Sequence, residues 1–220
     1  GKFIVGSRLH NLHNENSDFD YRGVHISSLE EILSPFKKNK NTVWIEGNED
    51  NTSYELTDFC KFATKGNPTI LEVLYSNQPK EMTDEMVELR NNRHKFLNSK
   101  RIFEAAKGYA SNQYNKMNMF DPDKRTPKFA VAYLRILWQT AQLLETGELP
   151  VEVTGDMRDF LFKVKYYPFE RFSEVTPELV KLFTTGQINL AEAYRKNHNK
   201  FSPDFEWIEK FIVKTYTNFR

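Results

Sequence analysis

The chain has 220 residues, 31 basic and 30 acidic side chains, a formal net charge of +1 and a single cysteine, Cys60. That length buries roughly 70% of the unfolded surface in one large domain or two small ones, and the near-balanced charge excludes a global basic field for nucleic acid while leaving room for a local patch. One cysteine excludes an internal disulfide framework and a multi-cysteine zinc site, and the lack of any membrane-length apolar run or signal peptide leads us to expect a cytoplasmic protein with no membrane partner.

The chain starts at Gly1, and an apolar run follows almost at once, so an N-terminal segment is expected to be missing. Phe3, Ile4 and Val5 form that run and stop at Gly6, as a buried strand ending in a turn would. Phe19, Tyr21 and Val24 to Ile26 predict a second extended segment, and Thr42 to Glu46 a third. Thr52 with Glu55 three positions on has the form of a capping box, so a helix is expected to open there, pass Phe59 and Phe62, bury Cys60 and stop at Gly66. Asn67 followed by Pro68 starts the next helix. Thr83 and Ser99 read as further caps, as do Thr126, Thr176 and Ser202, each ahead of a proline. From about Thr83 onward the pattern is helical. Its clearest stretch puts Phe129, Tyr133, Ile136, Leu137, Thr140 and Leu144 on one stripe, ended by Gly147. Lys128, Arg135, Gln139 and Gln142 share another face, which looks either to solvent or into a cleft. The fold class expected is α+β: a small mixed-sheet domain over residues 1–82 and a helical part over 83–220 that completes the cleft.

The chemistry concentrates in "VGSRLHNLHNENSDFDYRG", residues 5–23. In a strand, Asp18 and Asp20 share one face while Phe19 turns to the other and enters the core. Two carboxylates on one face suit a divalent cation, and magnesium takes oxygen ligands from one or two carboxylates plus a substrate's phosphates. Gly6 and Ser7 follow the first strand, where a missing Cβ lets backbone amides approach phosphate oxygens and the hydroxyl can donate. Arg8 and Arg22 flank the pair as charge partners. Leu9 to Ser17 reads as a variable connection. His10, His13 and His25 are too irregularly spaced for a zinc site. Tyr166, Tyr167 and Phe169 beside Lys163, Lys165 and Arg171 form a basic-aromatic patch, suited either to stacking single-stranded bases or to ordinary packing.

A strand ending in Gly-Ser, an interval of about ten residues and then Asp-x-Asp resembles the signature of the DNA polymerase β nucleotidyltransferase superfamily. Together with "SYELTDFCKFATKGNPTILEVLYS" and "PKFAVAYLRILWQTAQLLETGEL", it resembles the predicted nucleotidyltransferases encoded beside RNA ligases, an RNA-repair branch of that superfamily. The resemblance implies transfer of NMP from an NTP to an acceptor hydroxyl, an RNA end, with pyrophosphate release and Mg²⁺ or Mn²⁺ as cofactor. It implies Asp18 and Asp20 as metal ligands, with Gly6 and Ser7 on the terminal phosphates. Lys128 and Arg135 would reach the triphosphate from the helical part. It also implies a third metal-binding carboxylate, for which Asp50 is the first choice by its interval to Tyr54, with Glu46 and Glu55 as alternatives. Two departures stand out: Asp50 lies in "EGNEDNTSYE", which reads as a loop, and Ala132 stands where the family would have a histidine. The acceptor is not written in the motif. Transfer to a protein or a small molecule, and non-catalytic nucleotide binding, remain alternatives, and the oligomeric state is open.

Overall fold

The apolar run at Phe3 to Val5 forms β1 (Lys2–Val5), an interior strand of a five-stranded mixed sheet. β2 (Asp20–His25) runs antiparallel to it, with Val5 opposite Asp20. β3 (Thr42–Glu46) pairs antiparallel with β4 (Glu49–Glu55), which lies parallel to β2. β5 (Pro79–Glu81) pairs with the other side of β1, giving the order β3-β4-β2-β1-β5. This computed structural model describes residues 1–34, 36, 41–46, 49–118 and 124–218; for 44–46, 49, 50 and 118 the backbone alone is described.

Two short helices, α1 (Gly6–Leu9) and α2 (Leu29–Leu33), flank β2. α3 (Leu56–Thr64) and α4 (Pro68–Tyr75) follow β4, and Asn67 caps α4 by accepting from the amides of Thr69 and Ile70. Between them Gly66 has φ +69°, and a Cβ there would meet the backbone N of Ile102 at 2.6 Å, so α6 crosses against the turn itself. The helical remainder is α5 (Asp84–Asn91), α6 (Ser99–Asn118), α7 (Thr126–Thr146), α8 (Gly155–Lys165), α9 (Thr176–Asn197) and α10 (Phe205–Asn218).

Several local expectations need correction. The Thr52–Glu55 pattern is not a capping box: residues 49–55 are strand, because β2 and β3 pair with them on both sides, and α3 begins at Leu56 with Glu55 itself as cap. Asp50 therefore lies in β4 and not in a loop. Thr126 and Thr176 are first helical residues rather than caps. The first turn of α6 is closed by Asn98, which accepts from the Arg101 amide, and that of α10 by Asp204, which accepts from the Trp207 amide. Thr83 does cap α5, accepting from Met86.

Most buried apolar side chains form one cluster that joins Phe3, Val5 and Val24 of the sheet to Phe59, Ile70 and Leu74, and onward to Ile136, Leu190 and Phe211 of the helical part. Cys60 belongs to it. A second, smaller cluster unites Leu12, just beyond α1, with Val131 and Leu134 of α7, Leu161 and Val164 of α8, and Leu179 of α9. Burying the Leu12 side chain contributes about 2 kcal/mol, so the segment after α1 is packed down and is not a loose connection.

Candidate functional site

β1 ends at Val5, opposite Asp20, and Gly6 turns the chain into α1 with φ +67°. A Cβ on Gly6 would stand 2.5 Å from Oδ2 of Asp20, so the turn accepts the carboxylate only because no side chain is there. Ser7, Asp18 and Asp20 then line a cleft of about 420 Å³. α7 contributes Lys128, Ala132 and Arg135 to the same cleft, and the end of α8 contributes Lys165 and Tyr166. Burial draws the Lys165 ammonium below its ordinary value, with Lys128 adding to the effect and Tyr166 and Asp20 opposing it.

The segment between Ser7 and Asp18 is held from two sides. Arg8 donates from Nε to the Asp18 carbonyl and from Nη2 to that of Ser17, at 3.2 and 2.7 Å. Its guanidinium also lies 3.6 Å above the Phe19 ring. Phe19 does not enter the core as expected: β2 starts only at Asp20, and the ring, 37% exposed, stacks near-parallel on Tyr21 under Arg8. From the C-terminal half, the Val153 amide donates to His10 O, Arg158 Nε to Asn11 O, and Lys165 Nζ and Tyr166 OH to Leu12 O.

Beneath the cleft lies a buried polar network that spans four parts of the chain. Arg135 Nη1 donates to Glu72 Oε1 at 2.6 Å and to Gln139 Oε1 at 2.7 Å. Gln139 Nε2 donates to the Pro150 carbonyl at 2.8 Å. His10 Nδ1 donates to the Val151 carbonyl at 2.7 Å, with Nε2 3.4 Å from Glu72 Oε1. Burial would raise the Glu72 carboxyl, but Arg135 and His10 hold it well below the usual carboxylate range. Burial and the Arg135 charge push His10 down, while Glu72 and the Val151 carbonyl act in the opposite direction. His10, Glu72 and Gln139 carry no signal as a group in the sequence; the one available hint is that Arg135 and Gln139 sit one turn apart on a helix otherwise rich in core residues.

Of the residues picked from the sequence, Ser7, Asp18, Asp20, Lys128 and Arg135 share the cleft, with Gly6 against Asp20. Arg135 has its guanidinium engaged by Glu72, and Arg8 is engaged by loop carbonyls. Arg22, on β2, donates to the Tyr21 carbonyl and is not part of the cleft lining. Glu55 is fully buried and committed to α3, accepting from the amides of Thr57 and Asp58 and from the Tyr216 hydroxyl. Asp50 and Glu46 are placed by backbone only, and their side chains lie outside the described residues. The parallel β2–β4 register sets Arg22 opposite Thr52; carried two residues back, it sets Asp50 level with Asp20. Tyr21 N donating to Asn51 Oδ1 at 2.9 Å holds the strands together there. Among the described residues no three His, Cys, Asp or Glu side chains cluster to hold a metal. The basic-aromatic patch divides: Lys165 and Tyr166 face the cleft, while Tyr167 and Arg171 both bond Glu174.

The profile of the RNA repair pathway DNA polymerase beta family matches residues 2–168. The chain belongs to this family. The RNA repair pathway DNA polymerase beta family is polymerase-β-like and associated with RNA repair, which points to nucleotidyltransferase activity. The matched span contains every residue that lines the cleft. No curated protein matches the chain. Among the described residues no helix is long and apolar enough to cross a membrane.

Proposed function

We propose that the cleft carries out nucleotidyl transfer: NMP passes from an NTP to the hydroxyl of an RNA end, and pyrophosphate leaves. The observation that supports this reading best is the seating of Asp20 over Gly6, with Asp18 and Ser7 in the same cleft and the cations Lys128 and Lys165 facing it. A carboxylate pair beside an open donor-lined cleft is the ligand chemistry that Mg²⁺ or Mn²⁺ takes with a triphosphate. The residues present fit such a group: Asp18 and Asp20 would hold it, and Asp50, level with Asp20 on the neighbouring strand, is the third ligand we assign. When bound, the metal supplies charge neutralisation at the attacking and leaving oxygens.

The protein's own groups do the rest. Ser7 donates its hydroxyl to a terminal phosphate, and the glycine turn lets that phosphate approach the backbone. Lys128 and Lys165 offset the negative charge of the leaving pyrophosphate. Arg135 acts at one remove: tied to Glu72, it fixes the cleft floor. The acceptor hydroxyl gives up its proton beside the carboxylates, with Asp50 as the base.

Purified protein, Mg²⁺ and each of the four labelled NTPs with a pool of single-stranded RNA provide the test. Label should enter RNA, and Asp18→Ala and Asp20→Ala should each abolish it while NTP binding persists in part. Labelling of protein or small metabolites in place of RNA would reassign the acceptor. Binding of NTP with no labelled product of any kind would favour a non-catalytic nucleotide-binding role.

A further inference from the structure

One group of charges near the cleft is only partly used in the reaction as proposed: Lys165 faces the leaving pyrophosphate, while Arg8 and Arg158 have no part in it. Arg8, Arg158 and Lys165 come from α1 and from α8, and all three converge on the segment from Asn11 to Asp18. Each is bonded there to backbone carbonyls: Arg8 to Ser17 and Asp18, Arg158 to Asn11, Lys165 to Leu12. A carbonyl satisfies a hydrogen bond but neutralises no charge. Among the described residues Arg8 has no ion pair, Lys165 feels the Asp20 carboxylate across the cleft without a direct ion pair, and Arg158 pairs only with its neighbour Asp159, whose side chain is 75% exposed. Three half-buried cations thus surround one short segment and are only partly compensated, by Asp20, by Asp159 and by the faces of Phe19, Phe162 and Tyr166.

His13 lies on that segment. Its Nδ1 is shut off from solvent and has no hydrogen-bond partner among the described residues. Burial, together with the charges of Arg8, Lys165 and Arg158, draws the ring below its ordinary value. His13 Nδ1 itself is out of an anion's reach, but the ring marks where the three cationic fields overlap. An anion placed there would take the free donors of the guanidiniums and the ammonium as charge-assisted bonds.

We propose that Arg8, His13, Arg158 and Lys165 form a phosphate-binding site beside the cleft, and that it takes a phosphate of the acceptor RNA strand. This rests on the RNA-end reading above. Lys165 belongs to both places, so the site opens directly onto the cleft and holds a strand whose terminal hydroxyl reaches Asp18 and Asp20. An NTP has the same phosphate chemistry, and the test separates the two sources.

The experiment measures binding of a fluorescein-labelled single-stranded RNA 12-mer by anisotropy across a salt series, with no NTP present. NTP binding is measured separately with no RNA. Arg158→Gln retains a donor for the Asn11 carbonyl and removes the charge; Arg158→Lys keeps the charge. The expected result is about tenfold weaker RNA binding for Arg158→Gln, with the slope of log affinity against log salt smaller by about 0.7. Arg158→Lys should restore most of both, NTP affinity should stay within twofold, and an unchanged thermal midpoint should certify the fold. His13→Gln should weaken RNA binding two- to threefold. Unchanged RNA affinity and salt slope in Arg158→Gln would overturn the proposal. Equal loss of NTP affinity would also overturn it, by giving the site to the triphosphate. Because no transfer is needed for the measurement, an inactive but RNA-binding protein would sink the catalytic reading and leave this site standing.

Discussion

Gly6→Ala tests whether the first turn exists to seat a carboxylate. The new Cβ would lie 2.5 Å from Asp20 Oδ2, and ordinary contact begins at 3.4 Å, so the carboxylate has to withdraw by about 0.9 Å. The backbone term is smaller: an alanine held at φ +67° costs roughly 1–2 kcal/mol, which for a chain of this size lowers the midpoint by about 2–8 °C. A reacting group displaced by about 1 Å costs on the order of 100-fold in rate. We therefore expect kcat/KM for nucleotidyl transfer to fall about 100-fold at a temperature where the variant is fully folded. Gly66→Ala is the natural comparison, since its Cβ meets the backbone of α6 and no cleft residue; it should lose more in thermal midpoint and keep turnover within severalfold. The assay is single-turnover transfer from labelled NTP alongside thermal unfolding. Wild-type turnover in folded Gly6→Ala, or equal kinetic losses in both variants, would refute the reasoning.

Glu72→Ala leaves the Arg135 guanidinium buried without its counter-charge, a change worth about 3–5 kcal/mol. The thermal midpoint should fall by roughly 10 °C, and adding Arg135→Met should recover part of it, which a double-mutant cycle by calorimetry would read. The same pair sets an acid dependence. Glu72 is held below its ordinary value of 4.5 in the folded protein, so its contribution is complete above that value and is lost as the pH falls toward the folded one. The gap between the unfolding free energies of wild type and Glu72→Gln should therefore be constant above about pH 5 and narrow steadily as the pH falls below about 4, as denaturant titrations at pH 3 to 7 would show.

What could be read from the chain was mostly local. Gly6 and Ser7 after an apolar run, and Asp18 and Asp20 one residue apart, need only a turn and the start of a strand to come together, and β1–β2 pairing supplies both. The caps at Asn67 and Thr83 are equally short-range. Where the reading failed, partners distant in sequence decided. "DNTSYE" has the letters of a helix start, but two flanking strands give its backbone a full set of hydrogen bonds. Phe19 alternates with the aspartates as expected, yet the other side of that position is Arg8 and Tyr21 at the surface and not the core. His10, Glu72 and Arg135 meet across more than half the chain, and no spacing rule connects them.

The stretch shared with the family ends at residue 168, just past Lys165 and Tyr166. Those two residues are also the last in sequence to touch the cleft. The helices beyond them act at a distance: α9 packs on α7, and Tyr216 of α10 donates to Glu55 at the start of α3. A chain ending at residue 168 would keep every cleft-lining side chain and yet lose Leu190, Phe211 and Tyr216 from the core, so the terminal helices govern whether the cleft stays assembled and not which groups line it.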